Sequence, residues 1–149
     1  MDKDKLEQLI RDVIAEEFQK HHQSCPMDKR VDKSGVLGVT GKTVHCERFD
    51  SGNDQDEVYL KDIVTLEESP NLGAGYMEVI NGKPFAWTLS YDEVDVILEG
   101  TLEIITPTGK IRGKAGDTLF IPKNSSIQFT CPEGEKVRFV YVTYPADWQ

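Results

Sequence analysis

The sequence predicts an all-β sandwich or barrel, preceded by one amphipathic helix and a linker. Short runs rich in β-branched and aromatic residues recur from about residue 36 onward, at the spacing typical of such folds. Turn sequences such as ESPNLGAG, NGKP and TPTGK separate these runs, and no segment with helical periodicity lies between them. Residues 1–20 differ from the rest because their apolar residues recur at helical spacing.

The predicted helix covers residues 1–20 and carries a single apolar stripe. Its members are Leu6, Leu9, Ile10, Val13, Ile14 and Phe18. The polar, non-periodic segment 21–35 follows and is predicted to be a flexible linker to a β-barrel domain at 36–149. A single helix cannot bury its own stripe, so we expect it to dock either on the barrel domain or on a partner protein.

The predicted strands follow one another in a single domain of a length that supports a full core. Each is bounded by turn residues, and they cover 43–49, 57–64, 75–80, 85–90, 93–99, 101–106, 117–122, 126–130 and 136–144.

Composition excludes several classes of function. The net charge of −9 disfavours nucleic acid and anionic membrane as partners, because both bind clustered Lys and Arg. No apolar run is long enough to span a membrane, and the charged N-terminus lacks a signal-peptide core. The odd number of cysteines, Cys25, Cys46 and Cys131, forms no C-x-x-C pair. These features predict a cytoplasmic protein.

Two other patterns do not support a site. The stretch GVTGKT resembles part of a phosphate loop, but Val36 stands at the position of the first glycine and a strand-like segment follows. His21, His22 and His45 have no metal-ligand partner at a useful spacing.

Two segments resemble the signature motifs of the cupin superfamily, small jelly-roll barrels that hold a metal on three His and one Glu. Glu93-x6-Gly100 and Gly116-x5-Pro122 match those motifs. The histidines do not: residues 86–89 contain none, and Ile127 stands at the position of the last one. We therefore expect no transition-metal site, because one carboxylate without imidazole partners holds such metals poorly.

The chain further resembles the ethanolamine-utilisation protein Q family over roughly residues 40–148. The blocks YLKDIVT, ESPNLGAGYME, WTLSYDEVDVILEGTLEI, KAGDTLFIPKNSSIQF and FVYVTYPADW occur in the family's order. Ala86, Asn124 and Asp147 depart from its usual residues, mainly in turns and near the end of the chain. The resemblance implies an RmlC-like cupin jelly roll that forms a homodimer in the bacterial microcompartment for ethanolamine utilisation. It also implies acetate kinase activity, with ATP as phosphoryl donor.

The candidate site centres on Glu93 and Asp95, which strand alternation places on one face. In the cupin pattern that face is the barrel interior. Two carboxylates there repel each other, so one should have a raised pKa or a cation should lie between them. A structural Lys or Arg that neutralises the pair is the alternative. Carboxylate oxygens suit Mg²⁺, so we expect Mg²⁺ with ATP at this pair.

The other predicted site residues surround this pair. Lys61 is the expected phosphate or carboxylate contact, which completes a catalytic set with Glu93 and Asp95. The expected substrate and nucleotide contacts are Tyr59, Glu78, Trp87, Thr88 and Tyr91.

Two classes of function remain open at this stage. The first is a phosphotransferase that uses the barrel cavity, and the second is a non-catalytic assembly protein of the microcompartment. In the second, the helix docks on shell proteins or core enzymes, as amphipathic helices dock in apolar grooves. An unusual metal enzyme is a third, weaker possibility.

Overall fold

The computed structural model describes residues 3–21 and 26–147, with side chains from 3–16 and 26–147. The N-terminal helix α1 spans Lys3–His21, which confirms the predicted helix. No helix in these ranges is both long and apolar enough to cross a membrane. The side chain of Phe18, together with His22 and Cys25, lies outside the described residues.

The rest of the chain is almost entirely β-structure, as predicted. Its strands are β1 (Lys29–Val31), β2 (Leu37–Val39), β3 (Glu47–Arg48), β4 (Val58–Asp62), β5 (Gly73–Ile80), β6 (Phe85–Thr88), β7 (Asp92–Glu99), β8 (Thr101–Thr106), β9 (Gly109–Lys114), β10 (Thr118–Ile121), β11 (Ser126–Thr130) and β12 (Lys136–Tyr144). A six-stranded sheet has the order β10-β7-β12-β5-β4-β3, and a four-stranded sheet has the order β6-β11-β8-β9. All strand pairs within the two sheets are antiparallel.

The core lies between the two sheets and follows from strict alternation along the strands. In β5, β7 and β12 every second side chain is buried, while the residues between them are partly exposed. Val58, Val79, Val137 and Phe139 show no exposed surface. One face of each strand therefore forms the interior, as expected for a barrel built from half-buried strands.

Aromatic rings fill much of this interior. The rings of Phe85, Phe129 and Phe139 stack in sequence, with centroid distances of 6.1 Å at both contacts. Phe49 packs edge-on against Phe85 and against Trp87, at 6.0 and 5.6 Å. This packing closes one part of the barrel and leaves the polar residues of β7 and β12 in another.

The predicted linker at 21–35 contains a strand, and this part of the prediction is wrong. Strand β1 pairs with β2 as a hairpin, with Lys29 opposite Val39 and Val31 opposite Leu37. Asp32 closes its turn, because its side chain accepts a hydrogen bond from the Ser34 amide, and Gly35 takes a φ of +90°. The turn sequence DKSG thus joins two short strands, which are too short to show a hydrophobic period.

Two strand predictions also need correction. Of the predicted strand 43–49 only β3 is a strand, because Gly41–Thr43 forms a 3-10 turn. Strand β9 was not predicted, since five of its six residues are exposed and its polar sequence resembles a loop. An exposed edge strand owes its conformation to pairing with its neighbour, here β8.

Candidate functional site

A small polar chamber lies inside the barrel between β7 and β12. Glu93 and Asp95 point inward from β7, which confirms the alternation predicted for that strand. On β12, Thr143 lies opposite Glu93 and Tyr141 lies opposite Asp95. Glu93, Tyr141 and Thr143 line a cavity of about 30 Å³ together with Leu60 and Tyr91, and Asp95 lies beside it on the same inward face of β7. That volume admits about one water molecule.

The oxygen atoms of the chamber are buried and largely unpaired. Glu93 is 4% exposed and Asp95 is fully buried. When both acids are ionised, Glu93 Oε1, both carboxylate oxygens of Asp95 and Thr143 Oγ1 have no hydrogen-bond partner within the described chain. Buried polar atoms normally have partners, so these four oxygens, which lie on residues in or beside one small cavity, indicate a site that takes up a proton, a cation or a small polar ligand.

Burial changes the protonation of both acids. Loss of solvation raises the pKa of Glu93 to about 7, while hydrogen bonding with Asp95 and Tyr91 opposes the rise. Burial, and next the charge of Glu93, raise the pKa of Asp95 well above its usual value. A proton shared between the two carboxyl groups relieves their repulsion, so we expect the pair to hold one proton inside the folded barrel.

The chamber is linked to a larger pocket at the mouth of the barrel. The hydroxyl of Tyr141 donates a short hydrogen bond to Asp62 Oδ1. Asp62 is exposed and lines the mouth pocket, which has a volume of about 340 Å³. Lys29, Thr65 and Ser69 also line this pocket. The Tyr141–Asp62 bond therefore joins the lining of the chamber to a solvent-accessible site that contains a cation and two hydroxyl groups.

Two glycines make room for the chamber side chains. A β-carbon on Gly75 would overlap the Tyr141 ring and hydroxyl, and one on Gly73 would overlap the Thr143 hydroxyl. Gly73 also lines the mouth pocket. The close approach of strand β5 to β12 at this point requires residues without side chains.

The predicted position of Lys61 in the chamber is wrong. Lys61 lies on the opposite face of β4, where its ammonium pairs with Glu47 at 3.0 Å. The prediction chose the wrong phase of the strand, because the apolar Val58 and Leu60 face the interior and bring Asp62 with them. Alternation then forces Lys61 outward.

Tyr59 and Glu78 share this outer face and also lie away from the chamber. They are opposite each other across β4 and β5. Glu78 accepts a hydrogen bond of 2.6 Å from Arg138, whose guanidinium lies 4.7 Å from the centroid of the Tyr76 ring. This half-buried ion pair fastens residues 41–44 to the sheet, since Arg138 also donates to two backbone carbonyls there.

The remaining predicted contacts are divided between interior and surface. Tyr91 lines the chamber, and its hydroxyl accepts a hydrogen bond of 2.9 Å from Trp87 Nε1. Trp87 is half-buried among aromatic rings. Thr88 is exposed on the outer face of the four-stranded sheet, where its hydroxyl lies 2.9 Å from that of Ser126.

The chamber fits Mg²⁺ in its ligand chemistry but not in its size. Two carboxylates and a hydroxyl are the oxygen donors that Mg²⁺ prefers. The ion, however, retains several water molecules, and the cavity admits about one. Across the described ranges, no cluster of three or more His, Cys, Asp or Glu is positioned to hold a metal ion.

Sequence reasoning missed Asp62, Tyr141, Thr143 and Lys29. The first three could have been predicted from the sequence, because the inward apolar residues of β4 and β12 determine the face on which they lie. Lys29 carries none, because its place at the mouth depends on where the β1–β2 hairpin docks.

The two-sheet jelly-roll barrel is the fold of the cupins. The cupin domain of Cnp3 from Schizosaccharomyces pombe superposes with a TM-score of 0.59 at 16% identity, over 74% of this chain and 77% of that one. An RmlC-like cupin from Shewanella frigidimarina gives a TM-score of 0.56 at 16% identity, over 72% and 89% of the two chains. Both likenesses concern the fold alone.

The chain belongs to the ethanolamine utilisation protein EutQ family, whose model matches residues 1–149. The Clostridioides difficile protein named "Acetate kinase EutQ" is 44% identical over 99% of this chain and 94% of its own length. The structure of Clostridium difficile EutQ superposes with a TM-score of 0.76 at 47% identity, over 82% of this chain and 89% of that chain.

A Salmonella typhimurium protein of the same name is 44% identical over 78% of this chain. The match covers 49% of that protein, so this chain spans about half the length of its Salmonella relative. The family assignment establishes ethanolamine utilisation as the setting of this chain.

Proposed function

We propose that this chain is an acetate kinase-type phosphotransferase, which interconverts acetate and ATP with acetyl phosphate and ADP. The observation that carries the proposal is the group of four unpaired buried oxygens beside a mouth pocket that contains Lys29. A relative named as an acetate kinase, alignable over 99% of this chain, supports the choice of reaction.

In the forward direction, a carboxylate oxygen of acetate attacks the γ-phosphorus of ATP. The bond from that phosphorus to the β–γ bridging oxygen breaks, and ADP leaves with that oxygen. Acetate is ionised at neutral pH, so the step needs alignment and charge stabilisation rather than a strong base.

We assign the reacting groups to the mouth pocket, because the chamber excludes ATP by its size. The terminal phosphate would lie near Lys29, and acetate near the hydroxyls of Thr65 and Ser69. Lys29 also pairs with Glu68 at 2.6 Å, so phosphate would compete with that carboxylate for the ammonium. Mg²⁺ would arrive bound to ATP, and Asp62 and Asp147 are the exposed carboxylates among the residues that line this pocket.

Glu93 and Asp95 are assigned a positioning role through Tyr141. Their shared proton would keep the interior of the barrel close to neutral, and Tyr141, which lies opposite Asp95, donates its hydroxyl hydrogen to Asp62. Loss of either carboxyl group should therefore affect the position of Asp62 more than the binding of ATP.

The test is the rate of acetyl phosphate formation from acetate and Mg-ATP. We expect Lys29→Gln to raise the KM for ATP and Asp62→Asn to lower kcat by at least about tenfold, the size expected for loss of an electrostatic contact. Lys61→Gln is the matched control, because that lysine lies on the outer face. Equal activity of all three variants and the wild type would refute the assignment.

A second function, assembly into the microcompartment, is favoured by the state of helix α1. All of its described side chains, residues 3–16, are exposed. The apolar stripe is among them: Leu6, Leu9, Ile10, Val13 and Ile14 are 43–55% exposed. In the described structure the helix thus does not bury its stripe on the barrel.

We propose that this stripe binds an apolar groove of a shell protein or core enzyme. Deletion of residues 1–25 spares the β1–β2 hairpin, whose first strand starts at Lys29. Co-sedimentation with purified microcompartments should be lost on this deletion and on the double substitution Leu9→Ser/Val13→Ser. Glu7→Ser/Glu16→Ser, on other positions of the helix, is the control, and retention of the deleted chain would contradict the proposal.

We further propose that the chain forms a homodimer through the outer face of β10, β7 and β12. Cross-strand neighbours on this face are apolar: Val142 lies opposite Val94, and Val140 opposite Val96. Phe120, on the same face beside Val94, is 62% exposed. In sedimentation velocity, Val142→Asp should yield monomers and Val36→Asp, at a 71% exposed hairpin position, should not.

A further inference from the structure

The outer face of the four-stranded sheet carries a row of cations in an acidic protein. Lys110, Arg112 and Lys114 are exposed and alternate along β9, so their side chains lie on one face. The chain as a whole has a net charge of −9. Such a local concentration of positive charge attracts anions, although the chain as a whole is negatively charged.

A buried carboxylate holds two of these cations in place. Glu103, 5% exposed, lies on the neighbouring strand β8 and accepts contacts of 2.8 Å from Lys110 Nζ and 3.0 Å from Arg112 Nε. Arg112 uses its Nε for this contact, so its two terminal nitrogens have no partner among the described residues. Lys114 forms no ion pair within the same ranges. The free donors therefore point outward from a fixed base.

The cations line one half of an extended surface groove. Glu103, Lys110, Arg112 and Lys114 surround a cavity of about 540 Å³, together with Thr101 and, at another part of its lining, the exposed Glu133. Ile105 lines this cavity and also an adjacent one of about 540 Å³. The second cavity is uncharged and contains the hydroxyls of Thr88 and Ser126 and the amide of Gln128.

From this arrangement we infer that the groove binds an organic phosphate, with its phosphate groups on Arg112 and Lys114. A guanidinium with two free terminal nitrogens matches phosphate oxygens, and a nearby ammonium adds a point charge. The uncharged half supplies apolar contact at Ile105 and hydrogen-bonding groups for the organic part of the ligand. None of the charged groove residues lines the chamber or the mouth pocket, so this site is separate from the proposed reaction.

The test is a nuclear magnetic resonance titration of the ¹⁵N-labelled full chain at low ionic strength, with ATP and with inorganic tripolyphosphate as probes. We expect saturable shifts of the amides on β8 and β9 with both probes. ATP should also shift the amides of Ser126 and Gln128, because only ATP has an organic part. Raising the salt concentration should weaken binding, since the contact is between exposed charges.

Lys114→Gln should weaken binding of both probes about fivefold, as expected for one surface charge near a phosphate. Lys33→Gln, the same charge change in the β1–β2 turn, is the control and should leave the affinity unchanged. Lys29→Gln should also leave the affinity measured from the β8 and β9 amides unchanged, although it impairs the proposed phosphotransferase at the mouth pocket.

Three results would overturn the inference. The first is the absence of saturable shifts on β8 and β9, and the second is equal affinity of Lys114→Gln and the wild type. In the third, shifts are confined to the mouth pocket, which would leave the phosphotransferase proposal intact. If any of these results is obtained, the role that is left for the cations of this edge strand is to prevent strand pairing between molecules.

Discussion

Because of the buried acid pair, we expect stability to fall as pH rises. Carboxylates that are paired in the folded state have the opposite effect. Burial raises the pKa of Glu93 from its usual 4.5 to about 7 in the folded chain. Between these two values the folded state binds more protons than the unfolded state, so stability falls as pH rises. The protonated acid costs nothing below pH 4.5, and the full cost is present above pH 7.

The magnitude follows from the same shift. At about 1.4 kcal/mol per pH unit, the difference for Glu93 corresponds to about 3 kcal/mol of stability lost across this window. Glu93→Gln removes the titration with little change of shape. We therefore expect the free energy of unfolding of the wild type, relative to this variant, to drop by about 3 kcal/mol between pH 4.5 and pH 8.

Urea denaturation followed by tryptophan fluorescence, at one protein concentration and at half-unit steps of pH, measures this difference. Carboxylates outside the chamber titrate in both proteins and cancel in the comparison. Asp95 does not cancel, because Glu93 contributes to the rise of its pKa; its lower pKa in Glu93→Gln can only enlarge the expected drop. Glu99→Gln is the matched control, because this residue lies exposed at the end of the same strand and its difference from the wild type should stay constant. If the curves of wild type and Glu93→Gln run parallel, the two acids do not store a proton in the folded barrel.

Three further predictions concern the frame around the site. Phe139→Ala should lower the free energy of unfolding by about 3–5 kcal/mol in urea denaturation, because this fully buried ring stacks on Phe129. Gly75→Ala should cost at least about 2 kcal/mol in the same assay, since its β-carbon would overlap Tyr141. Arg138→Met should lower the melting temperature measured by circular dichroism, with a loss of about 2–3 kcal/mol, because it leaves Glu78 and two backbone carbonyls without their partner.

The extent to which the site was predictable differs from strand to strand. On β7 the alternation of Glu93, Asp95 and Ile97 with valines fixed the inward face, and the structure agrees. On β4 the same reasoning fails. The chemistry of Lys61 favours placing it inside the barrel, but Val58 and Leu60 determine which face of the strand points inward. When a polar residue on either face of a strand could point inward, the apolar residues decide which face does. Their burial contributes more to stability than a single surface ion pair does.

Elements without a hydrophobic period were the ones not predicted. Strand β9 and the β1–β2 hairpin are mostly exposed and polar, so their sequences contain no sign of a buried face. They form because neighbouring strands supply backbone hydrogen bonds. Both contribute to the proposed sites, because Lys29 lines the mouth pocket and the cations of β9 line the outer groove.

The sequence by itself determined the class of fold, the helix with its apolar stripe, the loss of the metal-binding histidines and the inward pair on β7. Each of these depends on a local period or a short motif, which is visible without the rest of the chain. Only the tertiary structure decided that the chamber has room for about one water molecule, that Tyr141 links the chamber to Asp62, and that Lys29 lies in the mouth pocket. Such features depend on distances between strands that are far apart in sequence, which alternation within one strand cannot specify.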